Sequence, residues 1–299
     1  MSLKDLRTRI NSIKSTSKTT KAMYLISASQ MTKIKQMFLN YKQYNDLMGS
    51  IISSIAFASR NRFDKDLETI TVQDDLVVEG CQKTLEMDEN YIVGHKNLVI
   101  IISGDKGLCG SFNSSVVNSA LNHIDDDTDV LCIGKKGYEI LSRKGAFHII
   151  KNNYIELHLR TINSKIVMGQ VTKPILQLIA SSKYANIKIV YTEFISMLKQ
   201  EVIVKQIFPV VLDHPPSTTF EFDSKPVTML RNIIPQYLHS VLYNCVLNSI
   251  KSETVKRMMT MDNATTNSKD MLHNLSLEYN RARQTKVTME LIEVISGMQ

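Results

Sequence analysis

Residues 104–110, Gly-Asp-Lys-Gly-Leu-Cys-Gly, are the first place in this 299-residue chain where residue type and spacing could do chemistry. Three glycines around a lysine, directly after the apolar run Leu98-Val99-Ile100-Ile101-Ile102, could cradle a phosphate on backbone amides. The spacing argues against it. The run is G-x-x-G-x-x-G, whereas a P-loop needs G-x-x-x-x-G-K-[ST] and a dinucleotide fingerprint needs G-x-G-x-x-G. A tight turn or a partner-docking corner is therefore expected, with a nucleotide-binding α/β enzyme as the alternative. No Ser/His/Asp order and no paired carboxylates stand out beside the turn. Cys81, Cys109, Cys132 and Cys245 share no C-x-x-C spacing, which disfavours a zinc ribbon or a thiol redox pair. The histidines at 95, 123, 148, 158, 214, 239 and 273 include no i,i+4 pair that could hold a metal on a helix. No catalytic residue, metal or cofactor is expected.

The elements around the turn are marked by where glycine and proline fall. Neither residue occurs before Gly49 or between Pro235 and Gly297, and such gaps predict long uninterrupted helices at both ends. Heptad spacing supports the first: Leu3, Ile10, Ser17, Tyr24, Met31 and Phe38 form one row, and Leu6, Ile13, Thr20, Ser27, Ile34, Tyr41 and Met48 the other. An apolar 3–4 seam presses a helix against another helix. Ser17, Thr20 and Ser27 predict a looser stretch, or one that faces another subunit. The second helix opens at Pro226 or Pro235, both suited to a first helical turn. Its polar stretch 262–270 is expected to be exposed or to face polar partners. Helices near 3–58 and 235–296 would be roughly 80 and 90 Å long, against ~50 Å for a compact protein of this size. If both leave the middle domain at one end, they lie antiparallel and the longer one overhangs. Its apolar tip, about 287–296, is then left without an intrachain mate, which argues for an enclosing socket.

Between the helices, residues 97–124 read as strand, glycine turn and helix, and Asp129–Gly134 as a second strand leading into 135–141. A helix around 162–182, interrupted at Pro174, and strands near 187–194 and 202–208 follow. Alternating units of this kind predict an α/β fold with a mainly parallel sheet. The fold class is thus a long antiparallel two-helix coiled coil plus a central, Rossmann-like α/β domain. Its boundaries are 1–60, 61–225 and 226–299. Apolar runs of five to seven residues are too short to span a bilayer, and no secretory signal is apparent. The net charge is +7, yet residues 1–60 alone carry ten basic and two acidic residues, so the whole excess lies on the first helix. Such a stripe suits an acidic protein surface. A basic coiled-coil nucleic-acid binder is the other alternative, but no aromatic interleaving, helix-turn-helix or zinc signature supports it.

Three blocks carry a resemblance. The first is Lys4-Asp5-Leu6-Arg7-x-Arg9-Ile10-x-Ser12-Ile13-Lys14-Ser15-Thr16 with Thr19-Thr20-Lys21-Ala22-Met23. The second is the turn Ser103-Gly104-Asp105-Lys106-Gly107-Leu108-Cys109-Gly110. The third runs from Ser252-Glu253 through Arg257-Met258-x-x-Met261-Asp262-Asn263-Ala264-Thr265-x-Asn267 and Tyr279-Asn280-Arg281-Ala282-Arg283-Gln284 to Thr288-x-Glu290-Leu291 and Glu293-Val294-Ile295-Ser296-Gly297. In order and over nearly the whole chain, they resemble the γ subunit of F-type ATP synthases.

The resemblance implies a central-stalk rotor without catalytic chemistry. Its paired helices would turn inside a ring of α and β subunits, and its α/β domain would sit beside the ε subunit on the membrane c-ring. Proton flow would turn c-ring and shaft together. The β-contacting positions of the family map to Arg283, Gln284, Thr288 and Glu290, and further coupling positions to Met23 and Arg257. Met23 also reads as seam packing, and Glu290 as a solvated helix residue. The family's c-ring turn resembles Phe220-Glu221-Phe222-Asp223, so Phe220, Phe222 and Asp223 are expected there, with phenylalanines where tyrosines are common. Met289 stands in place of a usually polar residue, and Ser111 where a fourth glycine is frequent. No close cysteine pair matches the plant-type redox switch. The start Met1-Ser2-Leu3 suggests a bacterial source, and hence a peripheral protein on the cytoplasmic face of the inner membrane.

Overall fold

A computed structural model of the chain describes residues 2–62, 96–145, 148–155, 168–180, 183–208 and 226–297. Two helices dominate it, α1 (Leu3–Arg62) and the C-terminal helix (Pro226–Ser296). Helix α1 starts where a reciprocal cap permits: the Asp5 amide donates to Ser2 Oγ at 3.1 Å and the Ser2 amide donates to Asp5 Oδ2 at 3.2 Å. The C-terminal helix opens at Pro226 and passes through Pro235, which the sequence allowed as an alternative start. Proline in a helix interior removes a hydrogen bond. Here its flanks, Ile234 and Leu238, are buried in the core, and that packing holds the helix through the break.

Between them come β1 (Lys96–Ile102), α2 (Phe112–Leu121), β2 (Thr128–Ile133), α3 (Lys135–Lys144) and β3 (His148–Ile155). A π-helical turn (Met168–Thr172), α4 (Lys173–Ala180), β4 (Tyr184–Phe194) and β5 (Gln200–Phe208) follow, which makes the C-terminal helix α5. The sheet order is β3-β2-β1-β4-β5, parallel except for the antiparallel edge strand β5. Strand β3 escapes the sequence pattern because Lys151-Asn152-Asn153 breaks its apolar run, and the register with β2 shifts there. The expected interruption at Pro174 is the junction of the π-helical turn with α4, where the wider turn precedes a residue that cannot donate.

The described chain divides into two compact units, Thr32–Glu253 and Met1–Met31 with Thr254–Gln299. In the first, β1 and β2 are buried on both faces, as a parallel sheet requires. Ile34, Ile52, Leu242 and Val246 cover one face and Val116, Val117 and Leu141 the other. Within this unit α1 and α5 run antiparallel: Tyr41 packs edge-on against Tyr243 at 4.4 Å, and Asn45 Oδ1 accepts from Ser240 Oγ at 2.8 Å.

The second unit is a helix pair whose seam is legible as heptads. Leu6, Thr20 and Ser27 are buried, and Ile10, Ile13, Ser17, Tyr24 and Met31 half-buried. Opposite them, Met261, Thr265, Ser268 and Leu275 are buried. The small hydroxyls do not loosen the seam. Thr265 Oγ1 donates to Thr20 Oγ1 at 2.7 Å, and Thr20 passes its own proton to the Ser17 carbonyl at 3.1 Å. The polar stretch 262–270 thus faces a polar partner where it is buried. Thr265→Leu should overpack this layer and cost about 1–3 kcal/mol. The Thr20→Val, Thr265→Val pair should be nearly neutral, because both partners of the bond disappear together. Urea unfolding of the helical signal checks both, and equal costs would contradict the hydroxyl pairing.

Candidate functional site

The glycine turn lies at the carboxyl end of β1, beside the point where the chain, having built β2 and β3 on one side, crosses to β4 on the other. Doubly wound sheets bind nucleotides in the crevice at such a switch point. In this chain helix α5 occupies it. Ser249 Oγ donates to the Ile102 carbonyl at 3.4 Å and Ser252 Oγ to the Thr192 carbonyl at 3.3 Å, tying α5 to the ends of β1 and β4. The Glu253 carboxylate presses on Gly104, where an added Cβ would lie 2.7 Å from it. A phosphate at that corner would meet a buried negative charge.

The turn is also hydrogen-bonded internally. The Gly104 amide donates to Asn113 Oδ1 at 2.8 Å, and Asn113 Nδ2 donates to Cys109 Sγ at 3.2 Å. The first amides of α3 are taken as well: Lys135 by Asp105 Oδ1 at 3.0 Å, Lys136 by the Gly104 carbonyl at 3.0 Å, and Gly137 by Ser103 Oγ at 2.9 Å. These are the groups an anion would need. Among the described residues no cluster of three or more His, Cys, Asp or Glu gathers as for a metal. Cys109, Cys132 and Cys245 are buried thiols outside any disulfide, and burial pushes Cys132 and Cys245 up to about 12. They are inert thiols, not nucleophiles.

What the structure leaves uncovered is the end of α5. Thr265 pairs with Thr20, and seventeen residues back from Thr20 is Leu3, the first residue of α1. In an antiparallel pair the same step forward from Thr265 reaches Ala282, the last half-buried residue of α5; everything from Arg283 to Gly297 is exposed. Val287, Met289, Leu291, Ile292, Val294 and Ile295 are 49–67% exposed. At ~100° per residue these six cover roughly 220° of the circumference, leaving Arg283, Lys286, Glu290 and Glu293 on the rest. A helix that is apolar over most of its girth suits a sleeve better than a flat surface.

The expected site residues are placed unequally. Arg283 and Gln284 form the first turn beyond the partner helix. Arg283 and Glu290, seven apart, share one face; Gln284 and Thr288, one turn apart, share the next. Thr288 Oγ1 donates to the Gln284 carbonyl at 2.9 Å, and Glu290 pairs loosely with Lys286 at 3.6 Å. All four are exposed, whereas Met23 is half-buried and Arg257 is buried. Phe220, Phe222 and Asp223 lie outside the described residues. Sequence reasoning places Ser252 and Glu253 only within a resembling block, gives neither a role, and does not single out Ser249. Their partners are 60 to 149 positions away in the chain, and no local pattern announces them.

Comparison with known proteins decides the family. The family model described as ATP synthase matches residues 2–299. The ATP synthase gamma chain of Rickettsia prowazekii is 34% identical over 309 residues, covering 99% of this chain and 98% of that one. The chain belongs to the ATP synthase gamma chain family. A gamma chain of Clostridium botulinum is 31% identical, covering 98% of this chain and 96% of its own. Among solved structures, a chain of the Tetrahymena thermophila mitochondrial ATP synthase central stalk and c-ring matches with a TM-score of 0.58 and 22% identity, covering 82% of this chain and 98% of that chain. A chain of the Euglena gracilis mitochondrial ATP synthase matches with a TM-score of 0.54 and 14% identity, covering 91% and 94%. These two likenesses show the shared fold. As a member of the gamma chain family it is a non-catalytic subunit, in keeping with a switch-point crevice filled by its own helix. No described helix is long and apolar enough to cross a membrane.

Proposed function

We propose that the chain is the central-stalk rotor of an ATP synthase, coupling proton flow through the membrane c-ring to conformational change at the catalytic β subunits. In this reading segments 1–60 and 226–299 form the shaft. Segment 61–225 is the foot, beside the ε subunit and on the c-ring at the cytoplasmic face of a bacterial inner membrane. The observation that carries it is the α5 tip from Arg283 onward, apolar around most of its circumference and unpartnered within its own unit. The α/β ring would supply the sleeve.

The coupling follows from asymmetry. A single shaft cannot present one face to three β subunits, so each β conformation is favoured by whichever face confronts it, a population shift imposed by rotation. Apolar packing at the tip has few directional bonds to break during rotation. Angle-dependent contacts fall to the polar groups Arg283, Gln284, Thr288 and Glu290, with Met23 and Arg257 lower on the shaft. Phe220, Phe222 and Asp223 would meet the c-ring.

Deleting residues 288–299 tests the reading. The described side chains it removes, 288–297, are exposed, so the isolated chain should melt within about 2 °C of the full-length protein. Its retention in a reconstituted α/β ring, and ATP turnover coupled to it, should fall. Unchanged seating and coupling, or loss of folding of the remaining chain, would contradict the proposed role of the tip.

A further inference from the structure

Among the described residues Lys251 is the one buried lysine, 8% exposed. Its ammonium lies 4.2 Å from the centre of the Phe38 ring on α1 and 3.9 Å from that of Phe194 at the end of β4. Two aromatic faces stabilise a cation, yet neither accepts its three N–H donors in line as an oxygen would. Among the described residues it has no carboxylate or carbonyl partner. Lys35 and Lys42 add to its isolation. Standing three residues before and four after Phe38, they share that face of α1, and both are exposed. Burial first, and then the charges of Lys35 and Lys42, hold the Lys251 ammonium below its ordinary range. Lys251 therefore sits among two further cations, and among the described residues no carboxylate is paired with it.

The chain leaves Phe194 directly into an apolar turn in which Ile195 and Met197 are half exposed and Leu198 is 83% exposed. That turn is stiff. The Ser196 amide donates to the Lys199 carbonyl at 2.9 Å, the Lys199 amide to Ser196 Oγ at 3.0 Å, and Gln200 Nε2 to the Met197 carbonyl at 2.7 Å. On its C-terminal side, Glu201 is taken by Lys199 at 2.7 Å, while Glu193 precedes Phe194 on its N-terminal side. A free anion would satisfy the lysines and leave the apolar turn bare. A protein segment can cover both.

We propose that Lys35, Lys42 and Lys251, with the turn Ile195–Leu198, dock an acidic, apolar-bearing segment of another subunit, whose carboxylate completes the Phe38–Lys251–Phe194 sandwich. The inference rests on the reading of the chain as a subunit of a larger assembly. It also makes Lys251 a residue kept for association, since an aliphatic side chain would pack there without an unpaired charge.

The test is carbodiimide cross-linking of the purified complex, read by mass spectrometry, with salt-induced release of the chain as a second measurement. Lys35, Lys42 or Lys251 should be joined to Asp or Glu residues of one partner segment. Lys251→Met should melt at or above the wild-type temperature, and Lys35→Ala with Lys42→Ala should fold normally. Lys251→Met should weaken retention in the complex about tenfold, the loss of one charge-assisted bond, and the double variant at least as much. A complex that forms with these three lysines silent while other lysines of the chain cross-link would overturn the docking surface alone. So would variants released at the wild-type salt concentration, or binding of inorganic phosphate to the isolated chain that needs Lys251 as strongly as the complex does. Absence of the wild-type chain from the complex would overturn the stalk reading and this inference together.

Discussion

Gly134→Ala is expected to unfold the sheet-bearing unit. Gly134 joins β2 to α3 with φ of +96°, and a Cβ there would lie 2.2 Å from the Ser103 carbonyl oxygen and 2.6 Å from its carbon. The obstacle is backbone, and it cannot retreat. The Ser103 amide is bonded to the Ile133 carbonyl at 2.8 Å and the Gly134 amide to the Ile155 carbonyl at 2.9 Å, so any shift opens the join between three strands. Strain in that φ region alone costs ~1–3 kcal/mol. With the overlap, the total should exceed about 4 kcal/mol, a large share of the ~5–15 kcal/mol that holds a typical protein. Urea unfolding followed by tyrosine fluorescence measures it. Gly137→Ala provides the contrast, since its added Cβ meets the Ser103 side chain, Oγ at 2.4 Å and Cβ at 2.7 Å. Adding Ser103→Gly should restore much of the stability of Gly137→Ala and none of that of Gly134→Ala. A loss below about 1 kcal/mol for Gly134→Ala, the ordinary cost of a mild backbone change, would contradict the close approach.

This corner also shows what a sequence can and cannot reveal. The turn's glycines are visible, and their spacing argues against a phosphate cradle. What fills the corner, the Glu253 carboxylate on Gly104, joins residues 149 positions apart and has no local signature. The seam of the helix pair is the opposite case. Leu6, Thr20, Ser27 and Ile34 are all buried because a heptad repeat is itself a statement of geometry. Its hydroxyls misled only in being read as looseness, since a sequence does not show that Thr265 stands opposite Thr20. The start of the bare tip is a matter of register: composition placed it at 287, while the Thr20–Thr265 pairing fixes it at 283, and so puts Arg283 and Gln284 on its first turn. Lys251 was hidden for a related reason. A lysine on a long helix reads as solvated until the fold brings Phe38 and Phe194 over it.

Asp129 is the second place where one substitution should be costly, and its pH dependence tests the cause. It is the second residue of β2, is fully buried, and accepts from Lys183 Nζ at 2.7 Å, Tyr184 Oη at 2.8 Å, His148 Nδ1 at 2.7 Å and Lys96 Nζ at 3.5 Å. One carboxylate thereby ties the leading ends of β1, β3 and β4 to β2. Burial alone would raise its pKa, but the hydrogen bonds from Lys183 and Tyr184 and the charges of Lys183 and His148 outweigh it and hold the carboxyl below its ordinary value. Tyr184, pushed up to about 12 by burial and by its bond to Asp129, stays protonated and keeps donating. Asp129→Ala should cost about 3 kcal/mol at neutral pH. The figure is not larger because Lys96, Lys183 and His148 are each 40% or more exposed at the side chain and can turn to water. The buried Tyr184 hydroxyl cannot. Since the folded chain ionises this carboxyl more readily, the unfolded chain takes up its proton first as the solution is acidified. The contribution is complete above the ordinary value of 3.8 and is lost as pH falls through the lower folded value. Wild type and Asp129→Asn should therefore differ most in urea midpoint near pH 7 and converge below pH 3.8. A difference that stays constant across that range would mean that Asp129 acts through shape and hydrogen bonding, with no part played by its charge.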